Sequence, residues 1–320
     1  MGKSDTMVNY LRISVTDRCN LRCIYCMPYG KNNFLPAREI LTFEEIVKTV
    51  MILNRKGIEY IRITGGEPLM RRNLEVLIKK LKEETSQKEI SMTTNGILLD
   101  GKLSQLMEAG LDRVNISLNT FKRNRYEQLT GLDKFEEVFS TVKRILSESV
   151  IPLKINIVLL KGINDDEIED FADFTINNKV CVRFIEYFST DNSKLHFELI
   201  SGSLVKEKIE KKFGELIPCE VRGNGPAINY RINNAQGQIG FINTVTGNFC
   251  RSCNRLRLTA EGKIYPCLLS PRSIDVKNML RNGIKEEKIK MYMDNLIFEK
   301  HNYSKKRVRE HEFVMSDMGG

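Results

Sequence analysis

No stretch of this 320-residue chain reaches the roughly 18 apolar residues that a membrane-spanning helix needs, so a membrane protein is not expected. The opening "MGKSDTMVNYLRIS" lacks an apolar h-region, so no secretory signal is expected and a cytoplasmic location is. Histidine is scarce: His196, His301 and His311 are the only ones, and none has metal-ligand spacing to a cysteine group. Internal repeats and low-complexity runs are absent. The formal net charge is +9, yet the basic residues are not interleaved with aromatics as in a dedicated nucleic-acid protein. Much of the excess lies in "KEEKIKMYMDN" and "NYSKKRVREHE", which read as charged helix faces. A small polyanion fits the charge as well as any larger partner does.

What is present is a large core and an alternating pattern. Hydrophobic residues make up 41% of the chain, enough for one large domain or a large one with a small companion. "YLRISV", "EYIRIT", "EISMTT", "RVNISL", "PLKINIVLL" and "VCVRFIEYF" read as strands. Between them run helices. "LTFEEIVKTVMILNRKG" opens with a capping box of Thr42 and Glu45, with Gly57 suited to its end. "RRNLEVLIKKLKEE" sets Leu74, Leu77, Ile78 and Leu81 on one face. "NDDEIEDFADFTINN" has Asn164 or Asp165 available as a cap. About six βα repeats predict a parallel sheet, and hence an α/β fold. From about residue 215 the pattern changes to short strands, a cysteine group and two helices. The expected division is 1–220 and 221–320.

Eight cysteines with no secretory signal do not suggest a disulfide framework. Six fall into two groups of three. Cys19, Cys23 and Cys26 form C-x3-C-x2-C after the first strand. Cys250, Cys253 and Cys267 form C-x2-C-x13-C. Cys181 reads as a buried core thiol, and Cys219 has no partner by spacing. Structural zinc and ferredoxin-type clusters both take four protein ligands. Three thiolates therefore leave two readings: a zinc site completed by a remote ligand, or a four-iron cluster with one open iron. The unusual polar residues all follow strands: "GGEP" the second, "TTNG" the third, Ser117 and Asn119 the fourth. Parallel αβ folds place chemistry on that rim.

"CNLRCIYC" after a first strand, with "GGEP" after a second, resembles the radical S-adenosylmethionine superfamily. "FCRSCNRLRLTAEGKIYPCL" resembles the C-terminal signature of the MoaA-type GTP 3′,8-cyclase family. "YLRISVTDRCN", "RITGGEPL", "KGIND", "RFIE" and the terminal Gly-Gly extend that likeness over nearly the whole chain. The resemblance implies an incomplete (βα)6 TIM-type barrel with a smaller C-terminal α+β segment. It implies two 4Fe-4S clusters, one at each cysteine group, and S-adenosylmethionine as cofactors. The expected activity is radical cyclisation of GTP, starting from a 5′-deoxyadenosyl radical, as the first step of molybdenum cofactor biosynthesis. The nearest alternative is another radical enzyme with an auxiliary cluster, such as a peptide-modifying one. A zinc-stabilised nucleic-acid module is a third.

The resemblance assigns S-adenosylmethionine to Tyr25, Gly66, Ser117 and Phe188, where Phe188 replaces the family's usual Met. It assigns GTP to Arg12, Arg62, Thr93, Lys154, Arg255 and Arg257. It makes the terminal Gly-Gly an arm inserted into the site. No residue is expected as an acid or base. The expected partners are GTP, an electron donor of unidentified nature and a downstream cyclic pyranopterin monophosphate synthase. A homodimer is compatible with the family; a nucleic-acid partner is not expected.

Overall fold

The computed structural model describes residues 7–27, 33–188, 197–247, 253–303 and 318. Cys250, Gly319 and Gly320 lie outside the described residues. Six parallel strands pair in sequence order: β1 (Tyr10–Ser14), β2 (Tyr60–Thr64), β3 (Glu89–Thr94), β4 (Arg113–Ser117), β5 (Leu153–Leu159) and β6 (Cys181–Glu186). The C-terminal region adds β7 (Ile217–Pro218), β8 (Ile228–Arg231), β9 (Gln238–Ile242), β10 (Arg255–Leu258), β11 (Lys263–Tyr265) and β12 (Ile274–Asp275). β9 pairs parallel with β6, and β10 pairs parallel with β1. The late part of the chain thus lengthens the sheet at both edges, rather than standing wholly apart from it. Among the described residues, no helix is long and apolar enough to cross a membrane.

Strand side chains alternate between faces. Leu11, Ile13, Ile61, Ile63, Val114 and Ile116 are fully buried in the main core cluster, which the flanking helices complete. The opposite face of the sheet is largely polar. That face carries Arg12, Arg62, Ser91, Arg113, Asn115 and Lys154 in adjoining register positions.

Several local expectations hold. In the helix Phe43–Asn54, the Glu45 N–H donates to the Thr42 hydroxyl at 3.2 Å, and the Thr42 N–H donates to the Glu45 carboxylate at 2.8 Å. Leu74, Leu77, Ile78 and Leu81 are buried on one face of Leu74–Glu84. Neither expected cap of the helix Ile168–Asn177 is used as one. Asn164 accepts from Leu160 N at 2.8 Å and donates to the carbonyls of Asn119 and Val158, so it ties two strand ends together. Asp165 accepts from Gly162 N instead. The reason is that a 3-10 turn, Asp165–Glu167, precedes the helix Ile168–Asn177. Two further helices, Arg123–Thr130 and Gly202–Phe213, carry weak apolar patterns and are not legible in the sequence.

Arg113 and Glu89 form a fully buried ion pair at the entry to β3 and β4, with an Nη2–Oε1 distance of 2.5 Å. Arg113 also donates to the Asn115 side chain at 2.7 Å. Removing the arginine takes away the buried carboxylate's direct ion-pair partner. Arg113→Met is therefore expected to cost about 3–5 kcal/mol in denaturant unfolding. Adding Glu89→Gln to that variant should recover most of the loss. A single variant within 1 kcal/mol of the parent would contradict the pairing.

Candidate active site

The first cysteine group sits on the loop leaving β1. That loop is held from two sides. Gly66 N donates to Thr16 O at 2.8 Å, and Glu67 N donates to Arg18 O at 2.7 Å. A Cβ on Gly66 would lie 2.3 Å from Arg18 O, and one on Gly65 would lie 2.7 Å from Thr16 O. The paired glycines are thus needed for the turn after β2 to press against the cysteine loop. From the other side, Arg22 N and Ile24 N donate to the last carbonyls of the helix Arg123–Thr130.

Glu67 links this turn to the end of β3. Its buried carboxylate accepts from Thr94 Oγ1 and Asn95 N, each at 2.7 Å, and from Leu69 N at 3.1 Å. Burial raises its pKa to about 7 in spite of those bonds. Asn95 in turn donates to the Asn20 side chain at 2.8 Å. "GGEP" and "TTNG" are therefore parts of one hydrogen-bonded frame around the cysteine loop.

A small cavity lies beside that loop, lined by Cys23, Tyr25, Asn95, Ser117 and Asn119 among others. The Tyr25 hydroxyl accepts from Asn119 Nδ2 at 2.7 Å, and Asn119 Oδ1 accepts from Val158 N at 2.8 Å. Burial raises the Tyr25 phenol well above its ordinary value, as do Cys23 and Cys26 beside it. Phe188 is half-buried just past β6.

The interior face of the sheet concentrates positive charge. Arg12 is opposite Arg62 on one side and Arg257 on the other; Arg255 is opposite Tyr10. Lys154 is buried, adjacent to Asn115 and Cys181, and Arg183 is opposite Asn156. Burial lowers Arg62 to about 10, and the charges of Arg113, Arg183 and Arg255 add to that shift. It lowers Arg257 to about 10 as well, assisted by Arg255. Lys154 falls to about 6, from burial first and then from Arg183 and Arg113. Its Nζ donates to Arg222 O at 2.5 Å. The buried Nε atoms of Arg62 and Arg183 and the Tyr10 hydroxyl make no hydrogen bond. On these strands, among the described residues, Glu89 is the one carboxylate on that face, and Arg113 already occupies it. Thr93 also points inward, accepting from Asn115 Nδ2 at 3.3 Å. Cys181 is buried as expected, but on this polar face rather than in the apolar core.

Cys253 and Cys267 flank the β10–β11 hairpin. Continuing the pairing of Arg257 with Tyr265 sets Arg255 opposite Cys267. Arg255 Nη2 lies 3.6 Å from Cys253 Sγ, and Lys300 Nζ lies 3.3 Å from it. Burial raises the Cys253 thiol, but Arg255 and Lys300 outweigh it and bring the pKa down to about 6. Arg257 Nη1 donates to Met318 O at 2.9 Å, so the described part of the tail meets the inner face.

Residues 13–175 match the family model of the radical SAM superfamily, and residues 180–306 match that of Molybdenum Cofactor Synthesis C. A GTP 3′,8-cyclase of Thermodesulfovibrio yellowstonii is 45% identical over 285 residues, 88% of each chain. One from Desulforamulus reducens is 40% identical over 319 residues, 98% of each chain. The chain belongs to the GTP 3′,8-cyclase family of radical SAM enzymes. Its fold is also that of solved structures at 16% identity. Streptococcus suis SuiB bound to S-adenosylmethionine has a TM-score of 0.61, over 85% of this chain and 64% of SuiB. Native anSMEcpe with bound AdoMet has a TM-score of 0.56, over 84% and 78%. Those two likenesses concern fold alone.

A GTP 3′,8-cyclase of this superfamily uses S-adenosylmethionine and an iron–sulfur cluster, and the first cysteine loop fits that cluster. Burial pushes the Cys23 thiol up to about 12, reinforced by Cys19, so its thiolate is stable only beside added positive charge such as iron. Among the described residues no three thiol, imidazole or carboxylate groups are disposed to hold a single metal ion. Three thiols spaced along a loop would instead suit a four-iron cluster, one thiolate to each of three irons, with the fourth iron left without a protein ligand. Sequence reasoning missed Glu67 as a frame residue, although "GGEP" contained it. It also missed Asn119 as the partner of Tyr25, and Arg113, Arg183 and Lys300. Strand parity could have found Arg113, four residues before Ser117 on the same strand, and Arg183, two residues after Cys181.

Gly66→Ala is expected to expel the cysteine loop from its seat. The readout is iron per chain after anaerobic reconstitution, together with cleavage of S-adenosylmethionine. Native values for both would show that the turn tolerates a side chain.

Proposed function

We infer that this chain converts GTP to (8S)-3′,8-cyclo-7,8-dihydroguanosine 5′-triphosphate, the first step of molybdenum cofactor biosynthesis. The observation that carries the reading is the cation-lined interior beside the cysteine loop. The buried Nε atoms of Arg62 and Arg183 make no hydrogen bond, and a triphosphate supplies oxygen acceptors for such donors.

Held at Cys19, Cys23 and Cys26, a cluster with S-adenosylmethionine would supply the 5′-deoxyadenosyl radical chemistry that begins the reaction at C3′ of GTP. The chain's own task is to hold the ribose so that C3′ meets C8 of guanine, and to keep water away. Tyr25, Gly66, Ser117 and Phe188 hold S-adenosylmethionine in this reading, with Asn119 fixing the Tyr25 ring. Arg62 and Lys154 hold the triphosphate, and Arg183 joins them from β6. Arg12, Arg255, Arg257 and Thr93 hold the rest of the nucleotide. Cys250, Cys253 and Cys267 carry a second 4Fe-4S cluster at the guanine end. The reaction runs in the cytoplasm, where thiols stay reduced, fed by an external electron donor and followed by the cyclic pyranopterin monophosphate synthase.

The test is anaerobic incubation with S-adenosylmethionine, a strong reductant and either GTP or no nucleotide. GTP-dependent 5′-deoxyadenosine and a cyclised nucleotide are expected. Cleavage that ignores GTP would overturn the cyclase reading.

Lys154 gives a pH prediction. In the free protein it titrates at about 6, so it is mostly neutral at pH 7.5. A bound triphosphate raises that value, so binding takes up a proton. Through this group, affinity falls by up to about tenfold per pH unit above pH 6. Calorimetry in buffers of different ionisation enthalpy should show this uptake at pH 7.5 in the native chain. It should be about one proton smaller in Lys154→Met. Equal uptake in the two proteins would place Lys154 away from the phosphates.

A further inference from the structure

The helix Glu286–Tyr303 packs against the strand β12 and the helix Phe43–Asn54, and near its end it buries a lysine. Lys300 is only 6% exposed. Its Nζ donates to Pro266 O at 2.9 Å and to Cys253 Sγ at 3.3 Å. An ammonium held away from water costs several kcal/mol unless an anion meets it. Of its two partners, one is a carbonyl and the other a sulfur, so the sulfur is the group that can carry the counter-charge. The two partners also belong to different arms. Cys253 leads into β10, whereas Pro266 and Cys267 leave β11. Lys300 therefore joins both arms to a third element of the fold.

We propose that Lys300 is a positioning residue for the second cysteine group. It fixes the Cys253 arm against the Pro266–Cys267 arm and raises the reduction potential of the iron–sulfur cluster bound there. The proposal rests on the reading that Cys253 and Cys267 are cluster ligands. Reduction adds one electron to an already anionic cluster. A charged N–H donor at a ligating sulfur stabilises that added charge, which moves the potential upward. The effect needs the positive charge, so arginine should replace lysine and methionine should not.

The experiment uses the full chain carrying Cys19→Ala, Cys23→Ala and Cys26→Ala, so that bound iron reports the second group alone. Lys300→Met and Lys300→Arg are made in that background and reconstituted anaerobically. Iron per chain and the reduced fraction, followed by electron paramagnetic resonance across a redox titration, are measured. Lys300→Met should shift the oxidised-to-reduced ratio at a fixed potential tenfold or more toward oxidised, about 59 mV for a one-electron couple. Lys300→Arg should stay much closer to the parent. Loss of iron in Lys300→Met but not in Lys300→Arg would equally support the proposal. A Lys300→Met protein with the parental potential overturns it, as does equal loss of iron from both variants. A parent that binds no iron overturns instead the reading of Cys253 and Cys267 as ligands.

Discussion

Alternation along parallel strands puts Arg12, Arg62, Arg113, Lys154 and Arg183 on one face of one sheet, and the rest of the molecule answers to that concentration of charge. The opposite face is so thoroughly apolar that the helices bury it without a polar exception at Leu11, Ile13, Ile61 or Ile63. Register is thereby locked, because a slip of one residue would send the arginines into the apolar core. Burial first, and then the like charges of Arg183 and Arg113, weaken protonation in this interior, down to about 6 at Lys154. Under the proposed function, a bound polyanion would supply the counter-charge that this face of the sheet lacks.

The cysteine loop depends on the same sheet by a different route. Its position is set by the strand ends: the β2 turn presses it through Gly65 and Gly66, and Glu67 carries that turn across to Thr94 and Asn95. Asn119, at the end of β4, reaches both Tyr25 and the β5 backbone. The loop is thus registered against the chamber by hydrogen bonds from three neighbouring strands. β10 brings the second cysteine group to the same wall, adjoining β1. A reaction that must bring one end of a nucleotide to a radical and hold the other end still needs both sites on one rigid frame.

Much of this was legible in the sequence, and the exceptions have physical causes. The six strands, the capping box at Thr42 and the apolar stripe of Leu74–Leu81 follow from local periodicity. Local pattern also picked out the two cysteine groups. Long-range pairing was not legible: no local signal says that β10 lies beside β1, or that β9 lies beside β6. Lys300 lies between the two charged stretches noted in the sequence and was passed over, since nothing nearby reveals that it points at Cys253 from a helix about fifty residues later. Asn164 looked like a cap because Asn at that spacing usually is one. The structure spends its side chain on two strand ends instead. Arg183 was overlooked inside an apolar run, where a single charge is easily passed over unless its parity is compared with that of Lys154.

The central claim is that the inner face is built for a triphosphate independently of the base and of the clusters. It is tested most directly by binding of inorganic tripolyphosphate to the cluster-free chain. The account expects saturable binding that GTP displaces, that weakens as salt rises, and that Arg62→Leu with Arg183→Leu abolishes. Absence of binding, or binding untouched by those two substitutions, would contradict it.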